Sequence, residues 1–380
     1  MSAAEAGSSE SIVAARRLGE SVLAPAAQAT DQAPVVPRDH LEALAVVGLC
    51  GLAGPVDHGG EAAPPAVVRE VYEVLAGACG VTFFVWVQHH APVRLLARSS
   101  NREQRDRWLG ALCAGSVLGG VAFAYLRRPG PPAVVARPVP GGYSVSGEAP
   151  WVTSWGLARL FAVAAVVEGD AEGGGEEVVF FLFDAEAGSG TSVRASPPLR
   201  LAAMGASATV RLGFDGLFVA EADVVSRVGL EAWRARDRVA TSRPHPAAFG
   251  LAATAVELLA RRAVERGQPA VGEAAEALGA ELQACRTWAY RLSDETPADP
   301  GSVDQARLAD LVEARAWGLD VAMRSAQALV AATGGGAMAL DHPAQRLLRE
   351  AGFWSIQAQS ASLRAATLMR VSVRRSPRSR

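Results

Sequence analysis

The spacing of hydrophobic residues changes twice along the chain. Before Val117 the apolar residues recur at helical spacing, as between Val67 and Ala78. After Val117, short β-prone runs alternate with glycine and proline, and from Glu231 onward the helical spacing returns. The sequence therefore predicts a helical segment, then a β-rich segment, then a second helical segment.

The bulk composition is that of a globular chain with nearly balanced charge. At 380 residues, of which 50% are hydrophobic and 20% are charged, the chain is long enough for two or three packed domains. The 37 Lys and Arg residues nearly balance the 39 Asp and Glu residues, so the net charge is −2. This balance favours neither nucleic acid nor an anionic membrane as a partner. The basic run Arg374–Arg380 is interpreted as a frayed end.

Neither the cysteines nor the first residues of the chain indicate a metal site, a disulfide framework or a targeting segment. The four cysteines are scattered without paired spacing, so we predict no bound metal. The first twenty residues carry three glutamates and lack the apolar core of a signal peptide. No window approaches the roughly 20 apolar residues of a membrane span, and we expect a cytoplasmic protein.

The stretch Gly141–Phe161 carries the most distinctive local pattern. Two short apolar runs separated by glycine predict a β-hairpin. At its centre Trp151 stands beside the hydroxyl side chains of Thr153 and Ser154, where a polar turn is expected. A large flat ring next to hydroxyl groups suits the edge of a planar cofactor. The alternative is an ordinary hairpin with a tryptophan in the core.

Five segments carry family-like motifs in a fixed order. Gly141–Phe161 is similar to "D-G-Y-x-x-x-G-x-K-x-W-I-T-N-G", and Gly334–Arg349 is similar to "G-G-x-G-y-x-x-x-x-P-x-x-R-x-x-R-D". The other three segments are Val36–Gly60, Asn101–Gly115 and Phe214–Val219. Together they cover nearly the whole chain and resemble the acyl-CoA dehydrogenase superfamily.

The resemblance implies a mainly helical α+β fold with three domains. These are a helical amino-terminal domain over residues 1–118, a central β-barrel-like domain over 119–226 and a carboxy-terminal four-helix bundle over 227–380. It also implies a flavoprotein oxidoreductase with FAD between the β domain and the bundle. Members of the family form homodimers or homotetramers through the bundle, and we expect the same here.

The resemblance assigns cofactor contacts to six residues. Trp151 and Thr153 match the family's "W-I-T" motif. The match implies that the indole of Trp151 covers one face of the flavin and that the hydroxyl of Thr153 lies near flavin N5. Gly334 and Gly335 match a glycine pair that lets the backbone approach the FAD diphosphate of a neighbouring subunit. Leu126 brings backbone to the pyrimidine edge, and Ser154 completes the set.

Several positions depart from the family pattern. Ala358 stands where the family's late motif has its glutamate base, and alanine cannot take a proton. Asp237, directly before Arg238, is the candidate that could replace this base. The alternative is that Asp237 is simply a solvated aspartate at the arginine-rich start of a helix. Arg127 and Arg128 replace a threonine and a glutamate, and either bind a phosphate of the substrate or are simply solvated.

Two further departures leave the chemistry open. The family's FAD-binding motifs are degraded at Arg262–Pro269 and at Ala331, so either FAD is held weakly, or a flavin arrives reduced and leaves oxidised, or no flavin binds. His89 and His90 lie in an apolar helix that borders the acyl pocket in the family. They are candidates for substrate contact or, as in flavin monooxygenases on this fold, for assisting oxygen chemistry. The alternative is a purely structural role.

Three functions are compatible with these observations. The first is an FAD-dependent oxidoreductase acting on an acyl thioester or a related small molecule, with Asp237 as base. The second is a flavin-dependent monooxygenase on the same fold, which needs no such base. The third is a non-catalytic family member that acts as a binding partner.

Overall fold

A computed structural model of the chain describes residues 3–169, 176–187 and 190–372, so the basic run Arg374–Arg380 lies outside the described residues. The chain divides into two units. The first unit contains Met1–Leu75 and Val81–Arg234, and the second contains Ala76–Gly80 and Ala235–Arg380. The three-domain boundaries expected from the sequence stay a prediction.

Helices form the amino-terminal part of the chain, as its periodicity predicts. Asn101 begins the last of these helices, because its side chain accepts a hydrogen bond from the backbone N–H of Gln104. The helices are α1 (Ala3–Leu18), α2 (Ala24–Gln32), α3 (Arg38–Val46), α4 (Pro65–Ala78), α5 (Gly80–Ala97) and α6 (Arg102–Cys113), with a π-helical turn at Gly19–Leu23.

The β-rich segment forms one eight-stranded sheet. Its strands are β1 (Gly119–Ala122), β2 (Val134–Val139), β3 (Gly142–Val152), β4 (Leu160–Val167), β5 (Glu177–Asp184), β6 (Val193–Ala195), β7 (Val210–Ala220) and β8 (Val224–Gly229). The strand order is β6-β7-β3-β2-β4-β5-β8, and β1 pairs with β4. Among the described residues no pairing joins β6 to β8, so the expected barrel-like sheet is an open one.

The predicted hairpin within Gly141–Phe161 is wrong. The strand β3 is continuous over eleven residues and passes through Gly147 without turning back. It pairs with β2 and β7, and β2 separates it from β4. The hairpin turn lies one element earlier, between β2 and β3, where Gly141 has φ +82°.

A continuous apolar core holds the sheet-bearing unit together. Seven of the eight residues of β4 are buried, and the large side chains of Phe161 and Phe181 are nearly inaccessible to solvent. A strand buried on both faces reads as an unbroken apolar run rather than an alternating one. This explains why Leu160–Val167 is uniformly hydrophobic in the sequence.

The carboxy-terminal part is helical, as predicted. The helix α10 (Gln305–Thr333) packs against four other helices of this part, which are α8, α9, α11 and α12. Their bounds, with that of α7, are α7 (Leu230–Ser242), α8 (Pro246–Arg266), α9 (Pro269–Glu295), α11 (Pro343–Trp354) and α12 (Ala361–Ser372). The predicted mainly helical α+β class is therefore confirmed. Within the described residues, no helix has the length and apolar character needed to cross a membrane.

Candidate functional site

The end of β3 lies directly beside the start of β7. Val152 is the register partner of Val210 in the antiparallel pair, which puts Thr153 opposite Thr209. Beyond this point the two segments stay joined, because the backbone N–H groups of Ser154 and Trp155 donate to the carbonyls of Ser207 and Ala208. The short turn after β3 is therefore fastened to residues that precede β7.

Three buried hydroxyl groups form a chain at this junction. The Oγ1 atoms of Thr153 and Thr209 are 3.1 Å apart. The Oγ atom of Ser207 lies 2.8 Å from the Oγ1 atom of Thr209. All three side chains are buried, and Ser207 is fully inaccessible to solvent. We call Ser207–Thr209–Thr153 the hydroxyl chain.

The backbone around the hydroxyl chain is strained. Ser154, Met204 and Ala208 have φ values of +72°, +60° and +49°, a region that non-glycine residues rarely adopt. Each such residue costs on the order of 1–3 kcal/mol and persists only where neighbouring contacts enforce it. Three of them in two facing segments mark this junction as a functional-site candidate on physical grounds.

Trp151, near the end of β3, and Trp155, in the turn that follows, have different environments. Trp155 packs inward, with its ring stacked on Phe183 at 6.5 Å and tilted against Phe161 at 5.5 Å. Trp151 is half exposed, at 50% of its maximum. A half-exposed indole beside buried hydroxyl groups presents an apolar ring face for a planar ligand. The structure thus leaves Trp151, and not Trp155, available for the role that the sequence predicts.

The junction fits a planar polar cofactor such as FAD. Ser154 Oγ is completely buried and has no hydrogen-bond partner among the described residues. A buried hydroxyl without a partner is unfavourable by about 1–3 kcal/mol, so a ligand atom that pairs with it stabilises the complex. Trp151, Thr153 and Ser154 are therefore brought together, and their contact with FAD stays a prediction.

The segment after β1 contains the next two predicted site residues. Leu126 and Arg127 belong to a 3₁₀ turn, Ala124–Arg127, rather than to the strand itself. Leu126 is buried and Arg127 is partly buried. The turn packs against β3 and is anchored by the Tyr125 hydroxyl, which donates to the carbonyl of Ala164. The turn that contains both residues thus contacts β3, the strand that precedes Thr153.

The adjacent histidines of α5 are both fully buried, in different surroundings. His89 accepts a hydrogen bond from the N–H of Gly119 at Nδ1 (2.9 Å), so its Nε2–H donates to the carbonyl of Leu112 (3.1 Å). Burial lowers the pKa of His89 to about 4, against hydrogen bonds to the backbone of Cys50 and Leu112 that raise it. Both ring nitrogens of His89 are thus hydrogen-bonded to backbone groups.

His90 lies in an aromatic cluster. Its ring centroid is 4.5 Å from that of Trp86 and 5.9 Å from that of Tyr72. Neither ring nitrogen has a hydrogen-bond partner among the described residues. Burial, followed by the nearby charges of His89 and Arg94, lowers its pKa well below the usual value. These contacts describe a neutral histidine in the core, and the predicted substrate contacts of the two histidines stay predictions.

The remaining predicted residues belong to the second unit. Asp237 is partly buried and Arg238 is exposed, and both lie in the second half of α7. Their backbone carbonyls accept hydrogen bonds from hydroxyl groups one turn further along the same helix. Gly334 and Gly335 are exposed in the 3₁₀ turn after α10, where Gly334 has φ +71°. A side chain is disfavoured at Gly334, which is consistent with the glycine that the motif requires.

The segment around Ala358, where the sequence resemblance leads one to expect a glutamate, is tightly held. Ala358 has φ +48°, an unfavourable conformation for alanine. The preceding carbonyl, that of Gln357, accepts a hydrogen bond of 2.8 Å from the buried guanidinium of Arg315. Arg315 also donates to the carbonyl of Thr241 at 2.5 Å. The segment therefore retains a special backbone shape although it carries no carboxylate.

Three functional candidates are not evident from the sequence alone. Ser207 and Thr209 lie far from Thr153 in the chain and become its partners only through the β3–β7 register. Arg315 reads as an ordinary polar residue of a long helix, but it is almost completely buried. The motif "S-x-T" before a strand is the sequence signal for the first two residues, and it is too short to be specific.

A cleft of about 230 Å³ lies elsewhere on the first unit. It contains none of the predicted site residues, and its polar members include Asp184, which is bonded to Arg159 at 2.8 Å. It is lined by Gln104, Arg107, Trp108, Leu160, Phe181, Leu182, Phe183, Asp184, Ala187, Leu217, Phe218, Val219 and Asp223. In the described part of the chain, no three His, Cys, Asp or Glu side chains cluster as metal ligands.

Comparisons with known proteins show what this chain is similar to. Residues 10–116 match the family described as acyl-CoA dehydrogenase, N-terminal domain. The chain is 24% identical over 363 residues to a mitochondrial isovaleryl-CoA dehydrogenase of Solanum tuberosum, covering 90% of this chain and 84% of the relative.

Two solved structures share the fold over nearly their whole length. One is the FAD complex of PigA (TM-score 0.79, 18% identity, 98% of each chain covered). The other is the dibenzothiophene monooxygenase TdsC of Paenibacillus sp. A11-2 (TM-score 0.77, 17% identity, 95% of this chain and 96% of that one). Family match, relative and shared fold agree with the five sequence motifs. They support the resemblance of the chain to the acyl-CoA dehydrogenase superfamily.

Proposed function

We propose that the chain is an FAD-dependent oxidoreductase that acts on an acyl thioester or a related small molecule. The observation that carries this proposal is the junction of β3 and β7, where a buried chain of hydroxyl groups ends beside the half-exposed Trp151. The bound FAD of PigA and the dehydrogenase activity in the name of the Solanum tuberosum relative support it.

Each predicted cofactor residue has a physical task. When bound, FAD supplies a hydride acceptor in its ring system. Trp151 covers a ring face, and Thr153 and Ser154 offer hydroxyl groups to ring heteroatoms. Leu126, whose side chain is buried, presents its backbone to the pyrimidine edge of the ring. The pair Gly334–Gly335 leaves the backbone open to a diphosphate, because no side chain stands in the way.

The substrate side rests on charged residues and on the two histidines. Arg127 and Arg238 carry guanidinium groups, which bind phosphate oxygens in a bidentate manner, as a coenzyme A thioester would require. Asp237 carries the carboxylate that would take a proton from the substrate. His89 and His90 contribute bulk to the wall of the acyl pocket, since both rings are neutral and buried.

Replacing Asp237 by asparagine tests the proposed base. We expect kcat with the best acyl thioester to fall about 100-fold or more, because a general base contributes a factor of that order. The matched control is Glu231→Gln, which removes an exposed carboxylate from the same helix. FAD binding should be unchanged in both variants. Full activity in Asp237→Asn removes Asp237 as base.

A flavin-dependent monooxygenase is the second candidate, favoured by Ala358. The segment from Ser355 to Ser360 contains no carboxylate that could serve as base, and the fold neighbour TdsC is a monooxygenase. Anaerobic addition of an acyl-CoA panel separates the two functions. Loss of the oxidised flavin absorbance indicates the dehydrogenase. Retention of the absorbance with every chain length, combined with transfer of one oxygen atom of O₂ from the reduced protein to a product and of the other to water, indicates the monooxygenase.

A non-catalytic binding partner is the third candidate. The departures from the family's FAD-binding motifs at Arg262–Pro269 and Ala331 favour this non-catalytic function. In the second unit Arg262 is engaged with the chain itself, because its Nε donates to the carbonyl of Ala332 at 2.8 Å. A purified protein that binds no flavin would support this third function.

We also propose that the chain forms a homodimer or homotetramer through its carboxy-terminal helices. Between Met338 and Val371, six large apolar side chains are more than half exposed, which is unfavourable for a monomer. They are Met338, Leu340, Ile356, Leu368, Met369 and Val371, with exposed fractions between 58% and 73%. A cytoplasmic location and the absence of nucleic-acid partners remain proposals based on composition and charge.

Charged substitutions on α12 test this assembly. The double variant Leu368→Glu, Met369→Glu should lower the solution mass to that of a monomer, because two buried charges destabilise an apolar interface by several kcal/mol. The matched control is Val46→Glu on α3, at an 86% exposed position of the first unit. Light scattering after size-exclusion chromatography measures the mass. An unchanged mass for the double variant contradicts an α12 interface.

A further inference from the structure

We infer that Ser207 and Thr209 are positioning residues that direct the hydroxyl proton of Thr153 toward an acceptor atom of the bound flavin. The inference rests on the proposed FAD site and adds two residues that lie outside its predicted contacts. They act through Thr153 and not by touching the cofactor themselves. Three hydroxyl protons must be distributed among three buried oxygen atoms, and this restricts which proton can reach the ligand.

A hydroxyl group has one proton to donate, so the hydroxyl chain has a direction. If Ser207 donates to Thr209 and Thr209 donates to Thr153, the proton of Thr153 is left for a ligand. If the direction is reversed, the proton of Ser207 has no acceptor among the described residues. One proton at one end is therefore unpaired in either direction, until a ligand provides the missing acceptor.

The surroundings of the two ends are unequal. Within the described chain, the Oγ atom of Ser207 forms a hydrogen bond only with the Thr209 hydroxyl, and the Ser207 side chain is 0% exposed. A proton of Ser207 that is not donated to Thr209 therefore has neither water nor, among the described residues, a protein acceptor. Thr153 is 5% exposed and lies two residues after the half-exposed Trp151 of β3. An unpaired buried donor is unfavourable by about 1–3 kcal/mol. Ser207 is such a donor only when the hydrogen bonds run from Thr153 to Ser207. The direction from Ser207 to Thr153 is therefore favoured once an acceptor lies beside Thr153.

The backbone keeps the three oxygen atoms in place. The carbonyl of Ser207 accepts from Ser154, and the N–H of Ser207 donates to the carbonyl of Met204 at 3.0 Å. The carbonyl of Thr209 accepts from the N–H of Leu199 at 2.8 Å. The strained residue Met204 lies on the same segment, close before Ser207. A preorganised donor of this kind needs no rearrangement when the ligand binds.

Three variants separate this role from simple structural support. Thr209→Val removes the hydroxyl shared by Thr153 and Ser207, and should weaken FAD binding about tenfold, equivalent to about 1.4 kcal/mol. Ser207→Ala removes the donor that sets the direction, and should weaken binding about threefold. Thr209→Ser restores the hydroxyl and should stay within about twofold of the wild type. The absorbance bands of bound flavin should shift in the first two variants and not in the third.

The control is Thr82→Val, a buried threonine of the first unit whose Oγ1 lies 3.4 Å from Nδ1 of His40. It should lower the melting temperature in the same way as Thr209→Val while leaving the FAD dissociation constant and the flavin bands unchanged. FAD is titrated into each apo protein, and melting temperatures are recorded without FAD.

The outcomes are distinct. If the wild type binds FAD and both Thr209→Val and Ser207→Ala keep its affinity and flavin bands, the positioning role is overturned while the proposed function survives. If Thr209→Val does not fold, Ser207→Ala and Thr209→Ser decide in the same manner. If the wild type binds no FAD, the proposed function fails and this inference fails with it.

Discussion

Replacing Gly147 by alanine should remove at least about 3 kcal/mol from the free energy of unfolding of the sheet-bearing unit. Gly147 has φ +125°, which alanine adopts only under strain. A Cβ atom at this position would lie 2.2 Å from the carbonyl oxygen of Ala133, far inside van der Waals contact. Because the atoms met are those of Ala133 and Val134, and Val134 is the register partner of Gly147 in β2, the clash pushes β3 away from β2.

The matched control is Gly141→Ala. Gly141 has φ +82°, but a Cβ atom added there would meet no atom within 4 Å, so only the conformational strain of about 1 kcal/mol applies. Urea denaturation followed by circular dichroism measures both losses. Equal losses in the two variants would contradict the close packing of β3 against its neighbours.

Acidification should destabilise the protein through its buried histidines. Burial lowers the pKa of His89 to about 4 and that of His245 to about 3, with Arg315 adding to the effect at His245. An unfolded histidine titrates near a pKa of about 6.5, so below that pH the unfolded state binds protons that the folded state excludes. The stability is therefore fully present above about pH 6.5 and is lost as the pH falls toward about 4 for His89 and about 3 for His245.

Between about pH 7.5 and pH 5 each of these histidines should remove about 2 kcal/mol from the free energy of unfolding. His245→Asn should recover its share, since asparagine also caps a helix and α8 needs the cap that His245 Nδ1 gives to Ala247. The control is His342→Asn. His342 caps α11 in the same way, by accepting a hydrogen bond from the N–H of Ala344, but its side chain is partly exposed. Denaturation at both pH values measures how much of the free energy of unfolding is lost on acidification. A loss in His245→Asn equal to that of the wild type would contradict the prediction.

Much of the fold follows from local sequence. The helix cap at Asn101, the amphipathic run of α4 and the uniformly apolar β4 each contain their own structural signal. The short strand β8 is not predicted, because Val224–Gly229 has a charged residue and no clear alternation. The hairpin prediction fails because a glycine in a strand reads as a turn, whereas Gly147 marks a close approach of neighbouring strands.

The candidate site is only partly readable in the sequence. Trp151 and Thr153 stand together in the chain, so a motif is enough to find them. Ser207 and Thr209 reach Thr153 only through the register of β3 and β7, which local pattern does not specify. The burial of Arg315 is likewise a tertiary property, since arginine is usually exposed. The absence of a carboxylate from Ser355 to Ser360, in contrast, is visible in the sequence itself.

The structure also constrains where a base for proton abstraction could lie. Ala358 keeps an unfavourable φ, and Arg315 holds the adjoining carbonyl of Gln357. This segment therefore preserves a shape without a proton acceptor. Catalysis by proton abstraction then depends on a carboxylate from another element, for which Asp237 is the proposed residue, whereas oxygen chemistry needs none.

Titration of the apo protein with FAD tests the proposed cofactor site most directly. We predict saturable binding with one FAD per chain, an oxidised flavin spectrum distinct from that of free FAD, and weaker binding by Trp151→Ala and Thr153→Val. Absence of saturable binding up to about 1 mM FAD, an affinity worth only about 4 kcal/mol, would contradict it.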